Sequence, residues 1–452
     1  MNKEKINLEK LKEDHFQTKV PENIDDFIKS GIIKADKEVK KKRNKKIISL
    51  VASFVLISFF ISIRINSDFA NALKDIPYIG ELVKLINNDK SLQKAVENDY
   101  IQHIGKSKTF DGLKIEVEDI IVDETRMFLF YSIAADSGYK YVNLFNPELL
   151  DASGKDFKIS SSMSYFIKPD LNESKILRNK IEYIFPDDIK IPEKFVFKTQ
   201  IATKEREKEE EPQLLENTWE IDFLIDLDKC NNLKEEIKVN KEISVYNQKF
   251  EISEITIYPT RLKIKVNFDK NNSMEIFDLI NLRLIDENNE EFASIKNGIS
   301  ASGDNESGVV YYLDSSYFYK PKNLRLKFDG IRALEKEKLK VEVDLINKKI
   351  VNNNCDNFKF NKISKTEDGL QISFIVFQDD KDDMMYGIFS HDFKDSRGNK
   401  YDVDYSGSSS NQNKNYYIQT LNIKEDDFVG NLIFNITSFP NYKYKDIDIK
   451  IK

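Results

Sequence analysis

Along most of the chain apolar and polar residues alternate in short runs, the period expected of strands that bury one face. Three stretches each read as an alternating pair of strands: FDGLKIEVEDIIVDETRMFLFYSI from 110, KFEISEITIYPTRLKIKVNF from 249 and FKFNKISKTEDGLQISFIVF from 358. A hairpin follows each, LLDASGKDF at 149–157, LIDENNEEF at 284–292 and FKDSRGNKY at 393–401. Every hairpin has an Asp (Asp151, Asp286, Asp395), then Gly154, Asn289 or Gly398 three residues on, then Phe157, Phe292 or Tyr401 six residues on. Gly and Asn tolerate the positive φ of a tight turn, and the aromatic returns to the buried face. Further strands follow in the same order, EKFVFKTQI from 193, KNLRLKFDGI from 322 and GNLIFNITSF from 430. Each copy is expected to close on its own alternating strand, WEIDFLIDL at 219–227, LKVEVDL at 339–345 and DIDIKI at 446–451. The hairpin Asp residues lie 135 and then 109 apart, about one small sandwich each. The pattern predicts a mainly β chain with three tandem immunoglobulin-like antiparallel β-sandwich modules at 108–229, 230–346 and 347–452.

Before residue 108 the period changes. Ile47 to Ile63 is 17 residues without a charge, preceded by Lys40, Lys41, Lys42, Arg43, Lys45 and Lys46. At about 1.5 Å per residue, with Arg64 snorkelling outward, the run reaches the short end of the spanning range, and 47–65 is read as a transmembrane helix. The basic block places the N-terminus in the cytoplasm and the bulk outside the plasma membrane, as a single-pass protein. Two other readings stay open, a cleaved signal segment ending near Ala70-Asn71-Ala72 and a buried core helix. Ser49, Ser53, Ser58 and Ser62 recur four or five apart; they would let two such helices approach as a homodimer, or are simply tolerated in a lone span. Residues 66–107 are read as a helical stalk. Ala72, Leu73, Ile76, Ile79, Leu82, Val83 and Ile86 have helical spacing broken at Pro77, and Ser91 is the expected cap of a short helix to Asn98.

Residues 1–46 are a basic and amphipathic segment, net +5 against −12 for the remainder. With Asn23 as cap, Ile24, Phe27, Ile28 and Ile32 fall on one helix face. Nothing else on that side is large enough to bury this stripe, so a protein partner or the inner leaflet must cover it. These four residues are the candidate partner-binding site.

Chemistry adds little. The only histidines are His15, His103 and His391, and Cys230 and Cys355 are 125 apart in no metal-ligand spacing, either paired or two free thiols. No phosphate loop is present, and the acidic balance argues against direct nucleic-acid binding. Asp379, Asp380, Asp382 and Asp383 lack the calcium-loop spacing and read as a solvated loop, as does KEREKEEEPQ at 204–213. Trp219 alternates with Ile221 and Phe223 and reads as core. No catalytic residue, cofactor or metal is expected, and the chain is not read as an enzyme.

The succession VPENIDDFIKSGI, KKKR, an apolar run, SDFANALKDIPYIGELVKLI, KSLQKAVENDYIQHIGKS and DGLKIEVEDIIVDETRMFLFYSI resembles the Gram-positive membrane proteins that carry domain of unknown function 4179. Members of that group are often described as anti-sigma factors. The resemblance covers about residues 18–135 and implies that residues 20–35 hold a sigma factor while the ectodomain senses envelope state, through an envelope ligand or protein it does not name. His15 stands without the Cys-x-x-Cys of zinc-type anti-sigma domains, so the binding mode would differ. The rival expectation is a membrane-anchored surface structural or adhesive protein.

Overall fold

The computed structural model describes residues 82–452, excepting 83, 88, 136–138, 155–159, 164–175, 188, 206–211, 294–300, 305–307, 353–354, 356, 368, 379–384, 411–414 and 425–427. The predicted span at 47–65, the inner segment 1–46 and most of the stalk lie outside them. No helix among the described residues is long and apolar enough to cross a membrane.

The described residues are mainly β, in six antiparallel sheets. They open on helical residues at 82 and 84–86, followed by the helix α1 (Lys90–Glu97). Its N-cap is Asp89, whose carboxylate accepts the Leu92 N–H at 2.9 Å, and not Ser91 as the sequence suggested. Ser91 is instead fully buried one position inside, where its hydroxyl accepts the Ser315 N–H. Residues 102–107, read as the end of the stalk, are already strand.

The first sheet pair contains β1 (Gln102–Phe110), β2 (Leu113–Val122), β3 (Arg126–Ala135), β4 (Tyr139–Asp151), β5 (Ser160–Met163), β6 (Ile176–Ile184), β7 (Lys194–Glu205), β8 (Gln213–Leu214) and β9 (Trp219–Leu224). One sheet runs β1-β2-β3-β6-β5; in the other, β7 carries β4 and also β8 and β9. Alternate residues from both sheets fill one core, with Trp219 fully buried edge-on to Phe110 at 5.3 Å, as its alternation predicted.

The second pair contains β10 (Glu235–Val245), β11 (Gln248–Ile257), β12 (Leu262–Phe268), β13 (Met274–Ile280), β14 (Arg283–Asp286), β15 (Glu291–Ala293), β16 (Ala301–Asp304), β17 (Gly308–Leu313) and β18 (Leu324–Glu335). The third contains β19 (Lys340–Asp344), β20 (Lys349–Ile350), β21 (Phe358–Thr366), β22 (Gly369–Phe377), β23 (Phe389–Asp395), β24 (Lys400–Asp402), β25 (Tyr405–Ser410), β26 (Tyr416–Lys424) and β27 (Leu432–Ile436). Each pair encloses its own core, and Cys230 is buried in the first and Cys355 in the third, with no disulfide joining them.

The repeated hairpin signal holds at the turns. In the second copy Leu284 pairs with Phe292, the Asp286 carboxylate accepts from the Asn288 and Glu290 amides at 2.8 Å, and Asn289 sits at φ +60°. In the third, Phe393 pairs with Tyr401, Asp395 accepts from Arg397 and Asn399, and Gly398 has φ +87°. A short acceptor side chain folding the next amides over itself is why Asp leads each turn. The first copy forms the same Asp151 turn with Gly154 at φ +78°; its returning segment lies outside the described residues.

The closing strands depart from expectation. In the first pair β9 does return beside β7, Thr199 opposite Trp219. LKVEVDL does not close the second copy: β19 pairs with β27 of the third, Val341 opposite Phe434. DIDIKI does not close the third: its strand, β28 (Tyr442–Lys450), pairs with β18 of the second, Leu326 opposite Ile449. The reason is where β18 ends. Leu334 is already buried in the third core, and only Lys336–Lys338 and Leu339 separate β18 from β19, so the chain emerges beside β27. The first copy has the longer connection 206–218 in which to return.

Candidate functional site

The sequence-predicted residues Ile24, Phe27, Ile28 and Ile32 lie outside the described residues, as do Asp379, Asp380, Asp382 and Asp383. Among the described residues no group of three His, Cys, Asp or Glu side chains could hold a metal ion. The most unusual chemistry instead lies where the first two sheet pairs meet at α1.

Two hairpin turns meet there. One, Asp123–Thr125, joins β2 to β3; the other, Tyr258–Arg261, joins β11 to β12. Asp123 is fully buried and serves both turns. Its Oδ1 accepts from the Thr125 amide at 2.8 Å and the Thr125 hydroxyl at 2.7 Å, and its Oδ2 from the Thr260 amide at 2.9 Å and the Thr260 hydroxyl at 2.6 Å. The arginines then cross. Arg126 Nε donates to Thr260 Oγ1 at 2.9 Å and its Nη2 to the Thr260 carbonyl; Arg261 Nε donates to Thr125 Oγ1 at 2.9 Å and its Nη2 to the Thr125 carbonyl at 3.0 Å. Each guanidinium also lies over a ring, Arg126 on Phe128 at 4.6 Å and Arg261 on Tyr312 at 4.4 Å.

Both arginines are 2% exposed, and only multiple fixed acceptors make such burial tolerable. Arg126 finds a charge partner in Glu182 at 2.8 Å, with Asp89 of the α1 cap 4.0 Å away. Burial, and then the nearby Arg126 charge, hold the Arg261 guanidinium below the usual arginine range. Lys180 beside this group is likewise pulled down, chiefly by burial.

Helix α1 braces the junction. Covalently it leads into β1, yet its contacts reach the second pair: Ser91 to the Ser315 amide at 2.8 Å, Lys90 to Glu290 at 3.0 Å, and Lys94 over the Tyr319 ring. Just after it, Tyr100 donates to the Val122 carbonyl at 2.5 Å and its ring meets Phe318 at 5.5 Å. Asp314, next to Ser91, is pushed up to about 6 by burial and then by the Asp89 charge.

A cleft of about 610 Å³ opens beside the turns, lined among others by Glu124, Asp187, Lys234, Glu254, Tyr258 and Lys263. Its charges are largely paired across it, Lys234 with Glu124 at 3.4 Å and Lys263 with Asp187, so the cleft favours neither anions nor cations strongly. The two hydroxyls that donate to Asp123, those of Thr125 and Thr260, are buried with it inside the junction. What the arrangement can do is hold two sheet pairs and the preceding helix in one geometry.

The pattern reading did not single out this junction, although a signal was present. Thr125-Arg126 and Thr260-Arg261 are the same dipeptide 135 residues apart, the spacing of Asp151 and Asp286. The third copy has no Thr-Arg at the corresponding turn, KTEDG at 365–369, and joins its neighbour by strand exchange instead.

Residues 234–346 match a family of unknown function (DUF5643). No curated protein matches the chain. A solved structure, "The crystal structure of the conserved domain protein from Bacillus anthracis", is similar with a TM-score of 0.33 at 13% identity, over 56% of this chain and 84% of that one, a likeness too slight to carry an argument. Residues 40–135, from the basic block through the apolar run and α1 to the end of β3, match the domain of unknown function (DUF4179), and the chain therefore carries that domain.

Proposed function

We propose that the chain is a single-pass membrane signalling regulator of the anti-sigma type. Its N-terminal segment holds a sigma factor in the cytoplasm through Ile24, Phe27, Ile28 and Ile32, and three immunoglobulin-like sandwiches near 108–229, 230–346 and 347–452 sense envelope state outside. The observation that carries this reading is the extent of one domain, residues 40–135, which joins the basic block and apolar run to α1 and the first three strands. A domain that includes both the anchor and the brace suits a part that passes a change at the junction toward the membrane. In this reading the protein catalyses no reaction and needs no cofactor.

The test is a pull-down with residues 1–46 from the source cytoplasm, wild type against a Phe27→Asp, Ile28→Asp double variant. Each fully buried apolar side chain contributes about 1.5–3 kcal/mol. The double change should therefore weaken association on the order of a thousandfold or more, without touching the basic block. Retention of a sigma factor by the wild type alone supports regulation. If neither peptide retains a protein that the other loses and both bind anionic vesicles alike, the segment is only an anchor and the surface structural reading takes its place.

A further inference from the structure

The second sheet pair has no strand of its own for one edge of β18. The first pair fills the equivalent edge of β7 with β9, but β19 has been diverted to the third pair. The β18 edge is filled by a segment that begins more than 100 residues later in the chain, and the fit is specific. Arg325 opposes Lys450, Leu326 opposes Ile449 and Phe328 opposes Ile447; after a bulge, Gly330 opposes Tyr444 and Arg332 opposes Tyr442. Ile447, Ile449 and Ile451 pack on the second core, and between them Asp448 takes a two-pronged contact from Arg325 at 2.8 and 2.6 Å. Across the other edge of β28, Tyr246 and Lys241 donate to the carbonyls of Tyr444 and Lys450 at 2.8 and 2.6 Å.

Gly330 is the point of closest approach. At φ +144° it leaves room for β28 that no other residue would: a Cβ there would lie 2.2 Å from the Lys443 carbonyl oxygen and 2.9 Å from Tyr444 Cα. A glycine at a strand interior often marks such an approach by another backbone.

We infer that the edge of β18 is a strand-binding site for an extended segment with apolar residues at alternate positions and a carboxylate between them, occupied in this chain by Tyr442–Lys450. Its occupancy is a docking step separate from the folding of the β11–β12 and β22–β26 cores, and it fastens the third sheet pair to the second. Affinity comes from main-chain pairing along the edge, and selectivity from the isoleucine positions and Asp448. This inference does not depend on the regulatory reading above.

Two measurements on the full chain test it. In the first, hydrogen exchange follows residues 442–450 in the wild type and in Gly330→Ala. Forcing a side chain into that conformation should speed exchange of those amides on the order of a hundredfold, while amides of β11, β12, β22 and β26 keep their protection. If the 442–450 amides open only together with those cores, in both proteins, the strand is part of the fold and no separate site exists. The second measurement uses a chain ending at Asn441 and a labelled peptide of residues 442–452. Saturable binding that the intact chain does not show, and that Asp448→Asn in the peptide weakens several-fold, supports the site. A folded truncated chain that ignores the peptide overturns it; should that chain not fold, the exchange measurement decides.

Discussion

Arg126 and Thr260, 134 residues apart and in different sheet pairs, are joined twice, from Nε to the hydroxyl at 2.9 Å and from Nη2 to the main-chain carbonyl. Arg261 repeats both contacts on Thr125. The junction is therefore reciprocal: each copy of the Thr-Arg dipeptide offers an acceptor to the other and a fork of donors to it. Buried Asp123 sits between, bonded to both threonines.

Arg126→Ala should destabilise the protein by about 3–5 kcal/mol, because Glu182 and the Thr260 carbonyl are left buried without their donor. Arg126→Lys should recover only part of this, since a single ammonium cannot reach Thr260 and Glu182 with the planar geometry of the fork. Denaturant unfolding of the three proteins checks both, with equal stability of wild type and Arg126→Ala the result that would refute the junction's importance.

Docking of α1 should be firmer in mild acid. The Asp314 carboxyl is held at about 6 by burial and the Asp89 charge, against about 3.9 in an unfolded chain. A raised carboxyl favours the protonated folded form, so its contribution is fully present below about pH 4 and is lost as pH rises through about 6. Hydrogen exchange of residues 90–97, corrected for the intrinsic pH dependence, should show stronger protection at about pH 5 than at about pH 7.5. Asp314→Asn should flatten most of the difference; an unchanged profile in that variant would assign the effect elsewhere.

A fragment of residues 230–452 should fold alone as an all-β unit, for it contains both exchanged strands. Residues 230–346 alone lack β28, and residues 347–452 alone lack β19, so each should unfold at lower denaturant than the same sheet pair does within 230–452. Circular dichroism with denaturant titration of the three fragments distinguishes this from independent modules, whose midpoints would not change on separation.

Trp219 should tolerate Phe far better than Ala. It is fully buried against Phe110, so Trp219→Ala should cost about 3–5 kcal/mol. Its indole N–H has no acceptor, and a buried unpaired donor costs about 1–3 kcal/mol, which Trp219→Phe would relieve while keeping a ring in the site. Thermal melts of both variants check the order; a Phe variant as unstable as the Ala variant would mean the indole itself is required.

The sequence alone determined the mainly β character, the alternating strands that precede each closing strand and the Asp-led hairpins. These follow from period-two burial and from the local needs of a turn, both of which act over a few residues and so are written where they operate. Trp219 as core was legible for the same reason. The partners of the second and third closing strands were not legible, because LKVEVDL and DIDIKI have the same alternation whichever edge receives them. Strand pairing between such distant segments is decided by where the cores lie, and Leu334 reaching the third core sends β19 there and leaves β18 open for β28. Ser91 shows the same limit on a smaller scale: a serine ahead of a helix reads as a cap, but the neighbouring sheet pair supplied Ser315 and Asp314, and Asp89 took the capping role. Thr125-Arg126 and Thr260-Arg261 stood in the sequence as a repeat, yet only the tertiary structure brought the two turns together, since nothing within either turn specifies that its donors belong to the other.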